Sequence, residues 1–282
     1  MATFFSPAKI NLFFRLLGKR SDHYHEIASL YQTIDLGDTL KVELTTKHQD
    51  TLVCQDSTLG CDVSNLILKA SALFRVKTHA SIYANFSLIK NIPIQAGLGG
   101  GSSNAATTLW ALNEMMGRVA TLEQLKEWAQ ELGSDVPFFL SQGTAYCTGR
   151  GEIMEEVRIA PLFKKIWIAK PSYGLSTPQV YQTCASCHFE KRNAKQALLD
   201  CISGTPQFFN DLELPAFKLK PELAQLKEQL RSQKFDFVTL TGSGTAFVCI
   251  GNVNPVPLPG VRFYGVSCLS RDQGKWYAEL GL

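Results

Sequence analysis

The chain has 282 residues, 45% of them hydrophobic and 19% charged, which is ample for a sizeable core and excludes a disordered chain. Its 28 basic and 25 acidic side chains leave a formal net charge of +3, too small and too dispersed to point to nucleic acid as a partner. No apolar run approaches the ~20 residues of a membrane helix and the start, MATFFSPAK, lacks the pattern of a secretory signal, so the expectation is a cytoplasmic protein with no membrane partner and eight reduced cysteines.

In chain order, the first unusual segment is Ser6-Pro7-Ala8-Lys9-Ile10-Asn11-Leu12. Lys9 and Asn11 sit two apart in an apolar stretch, so in a strand they share a face. An inward lysine must find an anion; the competing reading is an edge-strand lysine facing water. His23-Tyr24-His25-Glu26 lacks a third metal ligand, and the Tyr24-His25 pair suits stacking and hydrogen bonding to a planar ring. Lys41 to Leu44 reads as a short strand, and Asn65 to Arg75 as a helix with Leu66, Ala70, Leu73 and Phe74 on one side. Ala80 to Leu88 alternates as a half-buried strand, with Ile82, Ala84, Phe86 and Leu88 on one face.

The strongest signal is Gly97-Leu98-Gly99-Gly100-Gly101-Ser102-Ser103, which opens an Ala-rich helix expected over 102–113. A helix start offers free N–H groups and a positive dipole end, which suits a phosphate. Glycines let the backbone approach that phosphate, and the Ser102 and Ser103 hydroxyls can cap the helix or reach phosphate oxygens or Mg²⁺. A plain serine-capped turn would not require such a density of glycine. No lysine follows as in a Walker A loop, and the glycine spacing is not that of a dinucleotide fingerprint.

Thr121 and Gln124 form a capping box for a helix that buries Leu122, Leu125, Trp128, Ala129 and Leu132, with Gly133 expected in a left-handed cap. Asp135 follows that helix and precedes an apolar run; alone it would read as a turn residue. The stretch 149–161 is expected to be a hinge, and Ile166 to Ala169 a buried strand. Cys184-Ala-Ser-Cys187-His188 matches a haem-attachment pattern but reads as incidental, for want of an export signal or a second Cys pair. Pro221 opens a helix with Leu223, Leu226 and Leu230 as its stripe. Phe235 to Leu240, Thr241 to Ala246 and Phe247 to Ile250 read as strand, tight turn and strand. Strands and helices do not alternate regularly, so the fold class is α+β.

Taken together, Pro7 to Leu12, the 97–103 loop and Thr241-Gly-Ser-Gly-Thr245 resemble the three ordered motifs of the GHMP small-molecule kinases. The Pro-Ala-Lys-Ile-Asn start, Tyr24-His25 and Ser134-Asp135-Val136-Pro137 narrow the resemblance to members that phosphorylate a cytidylyl alcohol in non-mevalonate isoprenoid synthesis. It implies a domain like the second domain of ribosomal protein S5 over 1–155, a ferredoxin-like domain over 156–282, and an active site in the cleft between them. The implied reaction moves the γ-phosphoryl group of ATP, with Mg²⁺, to a hydroxyl of that alcohol; a sister kinase acting on homoserine or a mevalonate-type alcohol is the alternative.

Roles carry over by position. Asp135 matches the aspartate that accepts or orients the hydroxyl proton, and Lys9 the lysine that contacts hydroxyl and phosphoryl group. The 97–103 loop matches the phosphate cradle, with Asn65 and Lys90 near the nucleoside. Tyr24, His25 and Tyr181 match the contacts to cytosine; Asn11, Thr177 and the loop holding Gly242 and Ser243 should help hold the alcohol. Where the family commonly has glycine before Tyr-His, His23 stands here; Thr241 replaces a serine, and Tyr181 is often phenylalanine. A monomer or weak homodimer is expected, with ATP and a cytidylyl alcohol as its small-molecule partners.

Overall fold

The computed structural model describes residues 1–161 and 164–277. The last five residues of the expected second domain, and positions 162 and 163, lie outside the described residues. Strand β1 (Ala2–Lys19) pairs antiparallel with β2 (His25–Thr45) along nearly its whole length. The middle of β1, from Ser6 to Phe14, is buried throughout. A strand covered on both faces shows no alternation, which is why composition alone does not reveal it. Register shifts between Pro7 and Ala8 and between Asn11 and Phe13 break any residual period.

Strand β3 (Thr51–Cys54) leads to helix α1 (Leu66–Thr78), whose N-cap Asn65 accepts a hydrogen bond from the Ile67 N–H. Strand β4 (Tyr83–Ile89) buries Ala84, Phe86 and Leu88, the face expected from the alternation. Helix α2 (Gly100–Met115) begins at Gly100, ahead of the expected Ser102, because Gly99 takes a left-handed φ of 70° and lets the turn start early. Helix α3 (Leu122–Leu132) carries the expected capping box. Gly133 does not take the left-handed cap: its φ of 162° and ψ of 154° are extended, and its C=O accepts from the Val136 N–H, closing a turn that holds Asp135. A 3-10 turn follows at Pro137–Leu140.

The first half of the expected hinge is a β-hairpin. Strand β5 (Thr144–Gly149) folds back on β6 (Ile153–Glu156), so Gly149 to Gly151 is the tip of a hairpin. Then come β7 (Ile166–Pro171), α4 (Thr177–Thr183), α5 (Ala194–Ser203), β8 (Phe209–Asn210), α6 (Glu213–Leu219) and α7 (Pro221–Ser232). Strands β9 (Phe237–Leu240) and β10 (Phe247–Ile250) form the expected hairpin, and β11 (Val261–Val266) closes the order.

These strands make two sheets. A seven-stranded mixed sheet has the order β3-β4-β2-β1-β8, with β5 on the other half of β2 and β6 beyond it. An antiparallel four-stranded sheet has the order β11-β7-β10-β9. The class is therefore α+β, as expected. Helices α1 to α3 cover one face of the mixed sheet with Phe74, Leu109 and Trp128, joined by Phe138 of the 3-10 turn. Its other face, through Ile10, Leu12 and Leu30, packs on Ile166, Ile168 and Val248 of the antiparallel sheet. That sheet's outer face is sealed by α4, α6 and α7 through Val180, Ala216, Leu223 and Leu230. Each layer buries the apolar stripe of the next.

Candidate active site

A cavity of about 1360 Å³ opens where β1, the start of α2, the Asp135 turn and α4 converge. Lys9 stands at its base and is only 3% exposed, so the edge-strand reading does not hold. Its Nζ lies 3.5 Å from the Asp135 carboxylate, 4.1 Å above the Tyr31 ring and 3.1 Å from Asn11 Oδ1, which accepts its hydrogen bond. A buried ammonium thus has an anion, an acceptor and a π face. Asp135 is a third exposed, with Oδ2 facing the lysine and Oδ1 accepting from Tyr31 Oη at 3.2 Å. Burial and then the Asp135 charge push the Tyr31 phenol well above the usual tyrosine range, so it remains a proton donor to the carboxylate.

The glycine loop is fixed by its backbone. The Lys9 N–H donates to Leu98 C=O, which ties the loop to β1, while the Leu98 side chain is buried in the core. Gly97 and Gly244 interleave: a methyl on Gly97 would stand 2.0 Å from the Thr241 carbonyl oxygen, and one on Gly244 would stand 2.1 Å from Ala96 and Gly97 backbone atoms. The two loops can meet only because neither carries a side chain there. Buried Asn11 joins β1 to the turn that holds Gly244 and to β2. Its N–H donates to Thr241 Oγ1, its Oδ1 accepts from the Gly242 N–H at 2.8 Å, and its Nδ2 donates to Ser29.

At the mouth of α2, Gly97, Gly99, Gly100, Gly101 and Ser102 line the cavity, together with Asn65 and Lys90. Ser103 does not; it is fully buried, and its Oγ has no hydrogen-bond partner. Lys90 is paired at 2.6 Å with Asp38, which is wholly buried. Asp38 also accepts from the Asn91 and Ile92 N–H groups and from Asn104 of α2. One carboxylate therefore fixes the entry to the loop and the first turn of its helix.

The opposite wall is made of side chains. Tyr24, His25, Tyr181, Thr177, Gly242 and Ser243 all line it. The His25 and Tyr181 rings lie 5.3 Å apart, tilted by 35°. Tyr24 is more than half exposed, with the Arg150 guanidinium 5.0 Å over its ring. Thr177 and Ser243 hydroxyls meet at 2.7 Å and tie α4 to the turn between β9 and β10. Burial and then Lys19 pull His25 below the usual imidazole value, which keeps the ring neutral near pH 7. His23 also lines the cavity, beside Cys187 and His188. The Cys184 thiol donates to the Val180 carbonyl, and burial pushes it up to about 12, a small packed hydrophobe rather than a nucleophile.

Three residues of this arrangement escape sequence reasoning. Tyr31 sits in a strand buried on both faces, and Asp38 lies further along that strand with no motif around it. Arg150 left a signal, a cation between Gly149 and Gly151, but that stretch reads as a hinge. Among the described residues no helix is long and apolar enough to cross a membrane.

The chain is similar to known proteins over most of its length. The GHMP kinases N terminal domain matches residues 65–143, which hold the glycine loop, α2 and Asp135. A 4-diphosphocytidyl-2-C-methyl-D-erythritol kinase of Protochlamydia amoebophila (strain UWE25) is 48% identical over 98% of this chain and 93% of its own. A chloroplastic enzyme of the same name from Oryza sativa subsp. japonica is 41% identical over 98% of this chain and 72% of its own. A crystal structure of 4-(cytidine 5'-diphospho)-2C-methyl-D-erythritol kinase superposes with a TM-score of 0.79 at 29% identity, covering 96% of this chain and all of the other.

Proposed function

This chain belongs to the 4-diphosphocytidyl-2-C-methyl-D-erythritol kinases, a branch of the GHMP kinases, and from that membership we infer that it moves the γ-phosphoryl group of ATP to a hydroxyl of that cytidylyl alcohol in isoprenoid precursor synthesis. The observation that carries the reading is the Lys9–Asp135 pair, 3.5 Å apart, at the base of one cavity walled by the glycine loop on one side and by Tyr24, His25 and Tyr181 on the other.

Phosphoryl transfer is mostly positioning and electrostatics. The free N–H groups from Gly99 to Ser102 and the positive end of α2 hold the ATP phosphates. Asn65 and Lys90 flank the nucleoside. Tyr24 and Tyr181 stack on the cytosine, neutral His25 binds its polar edge, and Thr177, Asn11 and the Gly242–Ser243 turn hold the rest of the alcohol. Asp135 accepts or orients the proton of the 2-hydroxyl group, and in a loose transition state that proton leaves late, so a strong base is not needed. Lys9 lies between this carboxylate and the incoming phosphoryl oxygens and offsets their repulsion.

Mg²⁺ binds through phosphates and few protein oxygens. The Ser102 hydroxyl, which lines the cavity at the start of α2, fits that need, and the ion would screen phosphate charge there. We assign residues 1–155 to an S5-like, ATP-binding domain and 156–282 to a ferredoxin-like one, with the site in the cleft between them. The enzyme would work in the cytoplasm as a monomer or weak homodimer, without nucleic acid.

An ADP-release assay with the cytidylyl alcohol, homoserine and mevalonate side by side tests the reading. Turnover is expected with the first alone, because the other two have no base for the aromatic wall. Turnover with homoserine or mevalonate, and none with the cytidylyl alcohol, would overturn it.

A further inference from the structure

Arg271 lies outside the cavity, and nothing above uses it. It is 7% exposed, and among the described residues it has no ion-pair partner. Burying a guanidinium is costly unless its donors are met. Here carbonyls meet them: Nε donates to the Ser141 C=O at 2.7 Å, one Nη to Leu140 and the other to Lys275. The rings of Trp110, Trp276 and Tyr277 surround it at 4.9, 5.4 and 5.6 Å. Tyr277 Oη also donates to the Ser141 carbonyl, and Trp276 Nε1 to that of Phe5.

The segment carrying Arg271 is itself stitched to the mixed sheet. The Leu269 N–H donates to Thr33, the Asp35 N–H to Ser267, and the Arg271 N–H to Gln142. Of the three carbonyls that Arg271 grips, those of Leu140 and Ser141 end the 3-10 turn Pro137–Leu140, where carbonyls lack helical partners. That turn is a junction. Asp135 precedes it. Phe138 packs edge-on against Tyr31 at 5.2 Å, the same tyrosine that donates to Asp135. Phe139 lies under Gly99 so closely that a methyl on Gly99 would be 2.8 Å from its ring. One short turn therefore sets the carboxylate on one side and the helix mouth on the other.

We propose that Arg271 is a positioning residue for phosphoryl transfer: by gripping the end of the Pro137–Leu140 turn it fixes the Asp135 carboxylate relative to the glycine loop of α2, without touching either substrate. The inference rests on Asp135 and that loop carrying the reaction. A shift of ~1 Å between reacting groups can cost about 10²-fold in rate, so a grip one turn away has leverage.

The test is steady-state kinetics of Arg271→Ala and Arg271→Lys, each at a temperature where circular dichroism finds the variant folded. For Arg271→Ala, kcat should fall about 10- to 100-fold with KM for ATP and for the cytidylyl alcohol within about threefold. Methylguanidinium in solution should restore part of that kcat, since the carbonyl and ring cradle remains. Arg271→Lys keeps the charge but loses the fork, and should fall between wild type and Arg271→Ala. If Arg271→Ala does not fold, Arg271→Lys decides alone: reduced kcat at unchanged KM supports the proposal. Folded variants with wild-type kcat and only a lower Tm, or a loss carried by KM, overturn it. A wild type that phosphorylates no cytidylyl alcohol sinks the functional reading and this inference with it. An active wild type beside indifferent variants sinks this inference alone.

Discussion

The two walls of the cavity are built of different material. The glycine wall is backbone: Gly97 and Gly244 interlock, Lys9 N–H holds Leu98 C=O, and buried Asp38 pins the loop entry and α2 together. The opposite, ring wall is side chain: Tyr24 is more than half exposed, and His25, Tyr181 and Arg150 are held by ring contacts. Backbone amides cannot be changed without changing the path of the chain, so that wall suits a group shared by many kinases. Rings can be exchanged one at a time, so the other wall suits the part of the substrate that differs between them. Lys9 and Asp135 stand where the walls meet.

Substitutions can break that division or sharpen it. The largest effect is expected where the walls join: Asp135→Asn should lower kcat by at least ~10²-fold with little change in the KM for ATP. Near-normal turnover would remove Asp135 from the chemistry. Next comes the backbone wall. Gly97→Ala must force two backbones apart, an overpacking cost of ~1–3 kcal/mol, and should raise the KM for ATP while lowering Tm. A normal Tm and ATP KM would show that the loops have slack.

On the ring wall, Tyr24→Ala should raise the KM for the cytidylyl alcohol about tenfold, in line with a base stack worth ~1–3 kcal/mol, and leave the KM for ATP unchanged. An equal rise in both would erase the distinction between the walls. The smallest effect is one of pH. His25 is held below its usual value of 6.5, so it stays neutral as pH falls through 6.5 and charges only at lower pH. The KM for the cytidylyl alcohol should therefore stay level from pH 8 down to 6.5 and rise beneath that; a rise that begins above 6.5 would contradict it.

The division also marks what a reader of the sequence can see. The glycine wall is conspicuous, because close backbone approach demands glycine and little else will serve. Asn65, Thr121 and Pro221 mark helix starts for a similar reason: each acts on backbone groups within a few residues. The long β1–β2 hairpin is nearly invisible, since burial on both faces and the bulges beside Pro7 and Asn11 erase the period of two. Gly149 to Gly151 shows the opposite failure, a hairpin tip whose composition reads as a hinge.

The sequence by itself determined the Thr121–Gln124 capping box, the alternation of β4, the α+β class and the need for a glycine-built helix mouth, because each is a local demand of backbone geometry. Only the tertiary structure decided which charges meet. Lys9 reads equally as a solvated edge lysine until Tyr31, Asn11 and Asp135 close around it, and Asp38 is one acid among 25 until Lys90 and Asn104 arrive. The cost of burying an ion depends on partners brought from distant segments, and no local pattern records where those partners will stand.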